Sequence, residues 1–244
     1  LQIRNLCFAY GEKAPLLLDG FNLELRPGSR VALVGVSGAG KTTIGNLAAG
    51  LLEPRSGDVL FDGRPLSGYP AGVLEQRLAK VDQNVVLFSG TLAQNVSLWD
   101  SSIPYPQIAD ALADAQVLDD VLSREQALDC LVEEDGRNFS GGQCQRIEIA
   151  RALVRNPSFL VLDEATSALD DVTELLVMNA IRRRGVAALV IAHRLSTIRD
   201  ADEIIVLGRG GKVLERGKHD DLMKLDGVYA QMVADSGEGG DVGS

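Results

Sequence analysis

The sequence predicts an α/β fold, because short apolar strands alternate with helical patterns along the chain. The apolar run at residues 31–34 has the character of a buried strand, and a helix-compatible run follows it at residues 44–52. Residues 159–162 and 187–192 predict two further buried strands, and residues 172–183 between them have a helical pattern. Such an alternation favours a sheet with helices packed against it.

The chain begins with strands and has a helical middle. Residues 1–35 hold short apolar runs broken by Gly, Pro and Asp, and residues 57–63 end in an Asp-Gly turn, so both segments predict strands. From about residue 91 to residue 155 the periodicity is helical. A helical block inserted into a strand–helix core predicts two lobes that can move against each other.

The end of the chain predicts strands at residues 204–207 and 212–214 and helical pieces near residues 219–224 and 227–234. After them comes a glycine-rich segment, residues 235–244, which has almost nothing to bury. We therefore expect this segment to be a disordered tail.

Composition and charge restrict the class of protein. The chain has 244 residues, of which 45% are hydrophobic and 24% charged, as in a globular protein with an ample core. No apolar run approaches the ~20 residues of a membrane-spanning helix, and no signal peptide is visible. The three cysteines, Cys7, Cys130 and Cys144, are scattered, which indicates reduced thiols. The formal net charge of −10 disfavours nucleic acid as a partner.

A glycine-rich loop joins the strand at residues 31–34 to the helix after it. The loop reads Gly35-Val-Ser-Gly-Ala-Gly-Lys-Thr-Thr43, the pattern of a phosphate-binding loop. Its glycines let backbone N–H groups surround phosphates at the positive end of the helix. We expect Lys41 to bind the β- and γ-phosphates and the Thr42 hydroxyl to bind Mg²⁺. The nucleotide contacts predicted in this loop are Gly35, Ser37, Gly38, Ala39, Gly40, Lys41, Thr42 and Thr43.

Two further segments carry candidate site residues. The strand at residues 159–162 ends in Asp163 and Glu164, and such a pair can hold Mg²⁺ through Asp163 and polarise an attacking water through Glu164. Taken alone, the two carboxylates are equally typical of solvent-exposed acidic residues at the edge of a sheet. Residues 140–143, Ser-Gly-Gly-Gln, precede a helix that Ser140 can cap. Their exposed N–H groups predict a second anion site, formed by Ser140, Gly141, Gly142 and Gln143.

The run that starts Phe139-Ser-Gly-Gly-Gln and continues through Ala-Arg-Ala-Leu153 closely resembles the signature sequence of ATP-binding cassette (ABC) ATPases. The resemblance covers residues 1–234. It implies an ABC nucleotide-binding domain: a P-loop NTPase core with a RecA-like mixed sheet, an N-terminal antiparallel β subdomain, and an inserted α-helical signature subdomain at about residues 91–155. It also implies ATP hydrolysis with ATP and Mg²⁺ as ligands.

The resemblance implies roles for four more residues. Tyr10 matches the aromatic residue that stacks on adenine, although its spacing alone is equally typical of a half-buried strand tyrosine. Gln83 matches a glutamine that reaches Mg²⁺ and the attacking water, and His193 matches the histidine that contacts the γ-phosphate. Asp170 matches the family's loop after the catalytic glutamate, which crosses the dimer interface, and the resemblance implies that it is a nucleotide contact. The implied catalytic residues are therefore Glu164, His193 and Gln83, and the implied metal ligands are Thr42, Gln83 and Asp163.

Finer cues resemble ABC exporters, through residues 86–95. Among exporters, residues 81–83, Trp99, Asn138 and the segment 192–200 resemble those of bacterial peptides, of the bacteriocin type. The resemblance implies a transmembrane transport domain, commonly fused upstream, and a location at the cytoplasmic face of the bacterial inner membrane. The opening on Leu1 within a strand-like pattern agrees with a piece of a longer chain. Phe139, where the family usually has Leu, and residues 131–135 depart from the pattern.

Other functions compete with peptide export. Lipid or drug export is the main alternative, and a non-transport ABC ATPase or a phosphate-loop kinase is disfavoured. No sustained heptad pattern indicates the coiled coil of the repair class, and a kinase has no use for the segment at Ser140. Because Ser140 lies in the helical lobe, we expect a second copy of the domain to bring this segment to the first copy's ATP, in a head-to-tail dimer.

Overall fold

The computed structural model describes residues 1–70, 72–192 and 194–237, and its centre is a six-stranded mixed sheet. With strands numbered in chain order, the spatial order is β12 (Val213–Gly217), β11 (Glu203–Leu207), β3 (Arg30–Gly35), β10 (Ala187–Ile191), β9 (Phe159–Asp163) and β6 (Leu78–Val81). Strand β12 is antiparallel to β11, and the other neighbouring strands are parallel. The carboxyl ends of five strands therefore meet at one edge.

A four-stranded antiparallel sheet covers one face of the central sheet. Its spatial order is β2 (Leu18–Glu24), β1 (Gln2–Phe8), β4 (Ser56–Phe61) and β5 (Arg64–Pro65). Asp62 and Gly63 connect β4 to β5 with φ angles of 47° and 77°, which is the left-handed backbone that a tight Asp-Gly hairpin needs.

Ten helices lie among the described residues. They are α1 (Lys41–Ala48), α2 (Val73–Arg77), α3 (Leu92–Ser97), α4 (Tyr105–Asp114), α5 (Leu118–Leu122), α6 (Gly141–Leu153), α7 (Asp171–Arg183), α8 (Leu195–Arg199), α9 (His219–Leu225) and α10 (Val228–Gly237). None of them is both long and apolar enough to cross a membrane. Helices α3 to α6 form a helical block in which α3 and α4 pack on α6, closed by a short ladder of β7 (Gly90–Thr91) and β8 (Leu131–Val132).

The alternation of side chains along the central strands divides the core in two. On β3, Val31 and Leu33 face the antiparallel sheet and α1, whereas Ala32 and Val34 face the helical block and α7. The same period of two sorts the buried residues of β9, β10 and β11. Helix α1 and the antiparallel sheet thus lie on one face, and α6 and α7 lie on the other.

The predicted fold class is confirmed: an α/β core carries an antiparallel β subdomain and an inserted helical block. At the end of the chain, the helical piece predicted near residues 227–234 corresponds to α10, Val228–Gly237. The helix is held because Tyr229 is fully buried and Glu215 accepts hydrogen bonds from the Val228 and Tyr229 N–H groups. Residues 238–244 of the expected tail lie outside the described part of the chain.

Candidate active site

The glycine loop leaves β3 at Gly35 and enters α1 at Lys41, as the sequence predicts. Gly38 and Gly40 have φ angles of 76° and 94°, which turn the loop back on itself. No side chain caps the start of α1, so its first N–H groups are available to an anion. Gly35 has a different reason to be glycine, because a Cβ atom there would lie 2.1 Å from the Leu207 oxygen on β11.

The side chain of Lys41 points back into the glycine loop that precedes it. Its ammonium donates hydrogen bonds to the carbonyl oxygens of Gly35, at 2.6 Å, and Val36, at 3.3 Å. Burial lowers the pKa of Lys41, and the negative charges of Glu164 and Asp163 act in the opposite direction. The ammonium therefore lies within the loop and close to two carboxylates.

A cleft of about 600 Å³ opens in front of the loop. One wall is the loop and the start of α1, and the opposite wall is apolar. Tyr10, which follows β1, has its ring 69% exposed at the mouth of the cleft, and its hydroxyl lies 2.7 Å from Thr43 Oγ1. The residues that line the cleft are Tyr10, Ala14, Pro15, Leu16, Leu17, Ser37, Gly38, Ala39, Gly40, Lys41, Thr42, Thr43 and Glu164. Gly35 is absent from this lining and contributes its carbonyl to Lys41 instead.

Asp163 ends β9 and lies beside the loop. Thr42 Oγ1 donates a hydrogen bond to Asp163 Oδ1 at 3.3 Å, and Lys80 Nζ on β6 lies 3.7 Å from Asp163 Oδ2. Burial raises the pKa of Asp163, and the Thr42 hydrogen bond and the Lys80 charge lower it. A hydroxyl and a carboxylate at this distance are the hard oxygen ligands that suit Mg²⁺.

Glu164 lines the cleft because the backbone turns sharply after β9. Its φ angle is 53°, a left-handed value that is uncommon for glutamate. The turn is held by the Glu164 N–H, which donates to the Ile191 carbonyl at the end of β10 at 2.9 Å. A strained backbone held in place by neighbouring strands is a recurrent feature of catalytic positions.

Of the two remaining implied catalytic residues, Gln83 and His193, the structure describes Gln83. Gln83 follows β6 at the same carboxyl edge, two residues after Val81, which is paired with Leu162. Its side chain is exposed and is not part of the cleft lining. His193 follows β10 and lies outside the described residues.

The segment Ser140–Gln143 forms the start of α6, away from the cleft. Gln143 N–H donates to Ser140 Oγ at 3.2 Å, and Ser140 N–H donates to Gln143 Oε1 at 3.1 Å, which is a capping box. The guanidinium of Arg124 lies 3.7 Å from the centre of the Phe139 ring and donates to the Asn138 carbonyl at 2.9 Å. None of Ser140, Gly141, Gly142 or Gln143 lines the cleft of the same chain.

Asp170 caps the start of α7. Its carboxylate accepts hydrogen bonds from the N–H groups of Val172 and Thr173 and from the Thr173 hydroxyl. The Thr173 hydrogen bonds lower the pKa of Asp170. Asp170 is absent from the cleft lining, so in this chain it has a structural contact that the sequence reasoning did not foresee.

Four residues with contacts at these segments were missed from the sequence. They are Lys80 beside Asp163, Arg124 beside the signature segment, Gln145 and Glu174. Buried Gln145 on α6 donates to Ser167 Oγ at 3.0 Å and accepts from the Ala168 N–H at 2.9 Å. The available signal for Gln145 was a polar residue at an apolar position of the helical pattern. Its partners, Ser167 and Ala168, lie more than 20 residues away in the sequence and could not be predicted.

Taken together, the described residues assemble a phosphate-binding loop and two strand-terminal carboxylates at the carboxyl edge of a mainly parallel sheet. Ligands of open α/β sheets bind at this edge. The fold and the site define a P-loop nucleoside-triphosphatase.

Comparison with known proteins makes the class more specific. The ABC transporter family pattern matches residues 18–167. The chain is 43% identical over 237 residues to the ATP-dependent lipid A-core flippase of Pseudomonas fluorescens (strain Pf0-1), a match that covers 96% of this chain and 39% of the flippase. A flippase of the same name from Yersinia pestis bv. Antiqua (strain Antiqua) is 43% identical over 235 residues, covering 95% of this chain and 40% of that protein.

Among solved structures, a bacterial Atm1-family ABC exporter with ATP bound is 38% identical, with a TM-score of 0.89 over 96% of this chain and 41% of that one. The chain spans about two fifths of the length of these relatives. It belongs to the ABC transporter family and is an ATPase domain of that family. The flippase names give no support to the peptide substrate that the sequence cues favoured.

Proposed function

We propose that this chain binds MgATP in the cleft beside Lys41 and hydrolyses it to drive export by a membrane ABC transporter. The observation that carries the proposal is the approach of Thr42 and Asp163 within 3.3 Å, next to Lys41 and Glu164. Phosphoryl transfer needs such an arrangement, since catalysis there consists mainly of positioning and charge stabilisation.

The residues predicted around the cleft and at its sheet edge have these parts in the proposal. The loop from Ser37 to Thr43 holds the phosphates and Tyr10 packs on the base. Asp163 and Thr42 would hold Mg²⁺, with Gln83 at the same sheet edge. When bound, Mg²⁺ neutralises the charge of the β- and γ-phosphates. Glu164 polarises the attacking water, and His193 is assigned to the γ-phosphate by resemblance alone.

The experiment that tests ATP hydrolysis is phosphate release by the purified chain with MgATP, with ATP alone, and with MgGTP. We expect release with MgATP and none when EDTA removes the metal. Release that is unaffected by EDTA would contradict the proposed metal site, and no release with MgATP would contradict the proposal as a whole.

We also propose that two copies associate head to tail around ATP. The support is the separation of the two anion sites: Gly141 and Gly142 at the start of α6 have N–H groups that the capping box of Ser140 and Gln143 does not use, and none of these four residues lines the cleft of its own chain. Each ATP would lie between the loop of one copy and Ser140 of the other. Size-exclusion chromatography of Glu164→Gln with and without MgATP tests this, and a monomer at saturating MgATP would count against it.

The transporter's transmembrane part is the third proposed component. An exposed apolar patch at the edge of the helical block, formed by Val86, Phe88, Leu98 and Trp99, is a suitable docking surface, because each side chain is 47–50% exposed. Phe88 and Trp99 pack edge to face with ring centres 6.0 Å apart. Contiguous exposed apolar side chains mark interaction sites. The patch would place the chain at the cytoplasmic face of the membrane.

The substrate class that we propose is lipid, which was the alternative to a peptide in the sequence analysis. The support is the name shared by the flippase relatives. The test is ATPase stimulation in the transporter assembled with its transmembrane part, in vesicles with lipid A-core or with a control peptide. Stimulation by the peptide and not by the lipid would reverse the assignment. The isolated chain should respond to neither, because its cleft takes nucleotide.

A further inference from the structure

One carboxylate outside the cleft is unusually well enclosed. Glu174 lies in the first turn of α7 and is 2% exposed. Thr166 Oγ1 donates to its Oε1 at 2.5 Å, Ser196 Oγ donates to its Oε2 at 2.9 Å, and Thr197 Oγ1 also donates to Oε1. Arg194 Nη1 lies 3.7 Å from Oε2.

The partners of Glu174 come from two segments that leave the carboxyl edge of the sheet. Thr166 belongs to the loop between β9 and α7 and lies two residues after Glu164. Arg194, Ser196 and Thr197 lie at the start of α8, just after β10. Arg194 also donates to the Leu169 carbonyl at 2.5 Å, which ties the two segments together a second time.

An acidic group at this position needs a physical reason. Burying a charge is costly unless hydrogen bonds compensate it. Other inward positions of α7, Val177, Met178 and Ile181, are apolar and fill the core without that cost. The hydroxyl groups that point at Glu174 provide compensation, since hydrogen bonds to an ionised acceptor are stronger than neutral ones. The arrangement fixes two loops relative to each other, which an apolar side chain would not do.

We propose that Glu174 is a positioning residue for ATP hydrolysis, which holds the loop of Glu164 and the segment 194–197 in one arrangement beside the γ-phosphate end of the cleft. The inference rests on the proposed function. Because Glu174 does not line the cleft, it acts through Thr166 and α8 and not on the nucleotide. Its loss should therefore lower kcat and leave the affinity for ATP unchanged.

The test compares Glu174→Gln with the wild type in steady-state ATPase assays and in equilibrium ATP binding. Misplacement of a catalytic group by ~1 Å can cost about 100-fold in rate, so we expect kcat to fall by roughly 10- to 100-fold with KM within about twofold. The control is Glu203→Gln, the same chemical change at a carboxylate that pairs with Arg216 away from the cleft. A variant with wild-type kcat, or one that loses ATP affinity instead, would overturn the proposal.

Variants that each remove one hydroxyl donor test the same proposal if Glu174→Gln does not fold. Thr166→Val and Thr197→Val each remove one donor to Glu174 and keep the side-chain shape. We expect each to lower kcat, with effects that are not additive in the double variant because both act through the same carboxylate. Independent, additive effects, or no effect on kcat, would refute the shared role.

A second readout does not depend on catalysis. Amide hydrogen exchange in the nucleotide-free protein reports the order of the two segments directly. We expect faster exchange in Glu174→Gln at residues 166–169 and 195–198, and unchanged exchange in the strands β3 and β9. A wild type that hydrolyses no ATP would refute the proposed function alone, whereas unchanged exchange in these segments would refute the role of Glu174.

Discussion

The Lys41 ammonium lies 2.6 Å from the carbonyl oxygen of Gly35, the residue at which the phosphate-binding loop begins. The contact closes the loop through its own backbone and keeps the charge at the floor of the cleft. In the proposed function, a phosphate bound in the loop would replace these carbonyl acceptors with a stronger, charged acceptor.

We predict that Lys41→Ala weakens ATP binding. Hydrogen bonds to charged groups contribute about 1.5–3 kcal/mol each, so the dissociation constant should rise by roughly 10- to 100-fold. Calorimetric titration of ATP measures this. The control is Lys13→Ala, an exposed lysine in the turn after Tyr10 that does not line the cleft. An equal rise of the dissociation constant in both variants would show that the net charge of the chain, and not the position of Lys41 in the loop, determines the affinity for ATP.

We predict that Glu164→Gln separates binding from hydrolysis. The amide keeps the shape of the side chain and removes its ability to polarise water, and such groups contribute about 10²- to 10⁴-fold. Phosphate release should fall by that factor, and ATP binding should remain within about twofold. A variant that hydrolyses ATP at close to the normal rate would remove Glu164 from its proposed role.

Asp163 should make the stability of the nucleotide-free protein depend on pH. Burial raises its pKa above the ordinary value of 3.8, so the folded state binds this proton more tightly than the unfolded state does. The associated stability is present below the ordinary pKa and is lost as the pH rises through the raised one. The melting temperature of the wild type should therefore fall, relative to that of Asp163→Asn, as the pH rises from the ordinary pKa through the raised one.

The measurement is thermal unfolding of the wild type and Asp163→Asn from acidic to neutral pH without metal or nucleotide. The slope of this difference with pH is the relevant quantity, because the Lys80 contact depends on the ionised form of Asp163 and is already part of its net pKa shift. Adding MgATP at neutral pH should stabilise the wild type more than the variant, since the proposal has the Asp163 carboxylate bind Mg²⁺. A difference that grows in favour of the wild type as the pH rises, without ligand, would contradict the sign.

We predict that Arg124 supports the dimer and not the binding of ATP to one chain. Its guanidinium stacks on Phe139 and donates to the Asn138 carbonyl, which holds the segment that precedes Ser140. Arg124→Ala should weaken MgATP-dependent association of the Glu164→Gln background by about 5- to 30-fold, as expected for a lost stacked cation of roughly 1–2 kcal/mol.

Analytical ultracentrifugation with increasing MgATP measures this association. Arg64→Ala is the control, because Arg64 lies exposed on β5 of the antiparallel sheet. Arg124→Lys should behave more like alanine than like arginine, since lysine lacks the planar group. An unchanged dimer in Arg124→Ala would exclude this role.

The sequence predicted the features that depend on neighbouring residues. The loop from Gly35 to Thr43 and the pair Asp163 and Glu164 are local patterns, and the strands before them are continuous apolar runs. Because parallel strands end at one edge, these motifs meet in the fold. Ser140 was expected to cap a helix, and the capping box with Gln143 lies within four residues of sequence.

What the sequence could not predict depends on distant partners. Lys80 and Asp163 are 83 positions apart, and Glu174 and Thr197 are 23 apart, so no periodicity indicates either contact. Asp170 matched a loop of the family, but its capping of α7 follows from the backbone geometry there. The burial of Tyr229 at the start of α10 is likewise not apparent from composition.

In the central sheet, β10 lies between β3 and β9. The loop proposed to bind the phosphates follows β3, and the carboxylates proposed to act on them follow β9. The two therefore start two strand spacings apart, ~9.5 Å, since neighbouring strands lie 4.7–4.9 Å apart. This width is set by main-chain hydrogen bonds and does not depend on side-chain identity. Substitutions can change the side chains between the loop and the carboxylates, but only a rearrangement of the strands would change the distance between their starting points. The backbone of the sheet therefore fixes this distance.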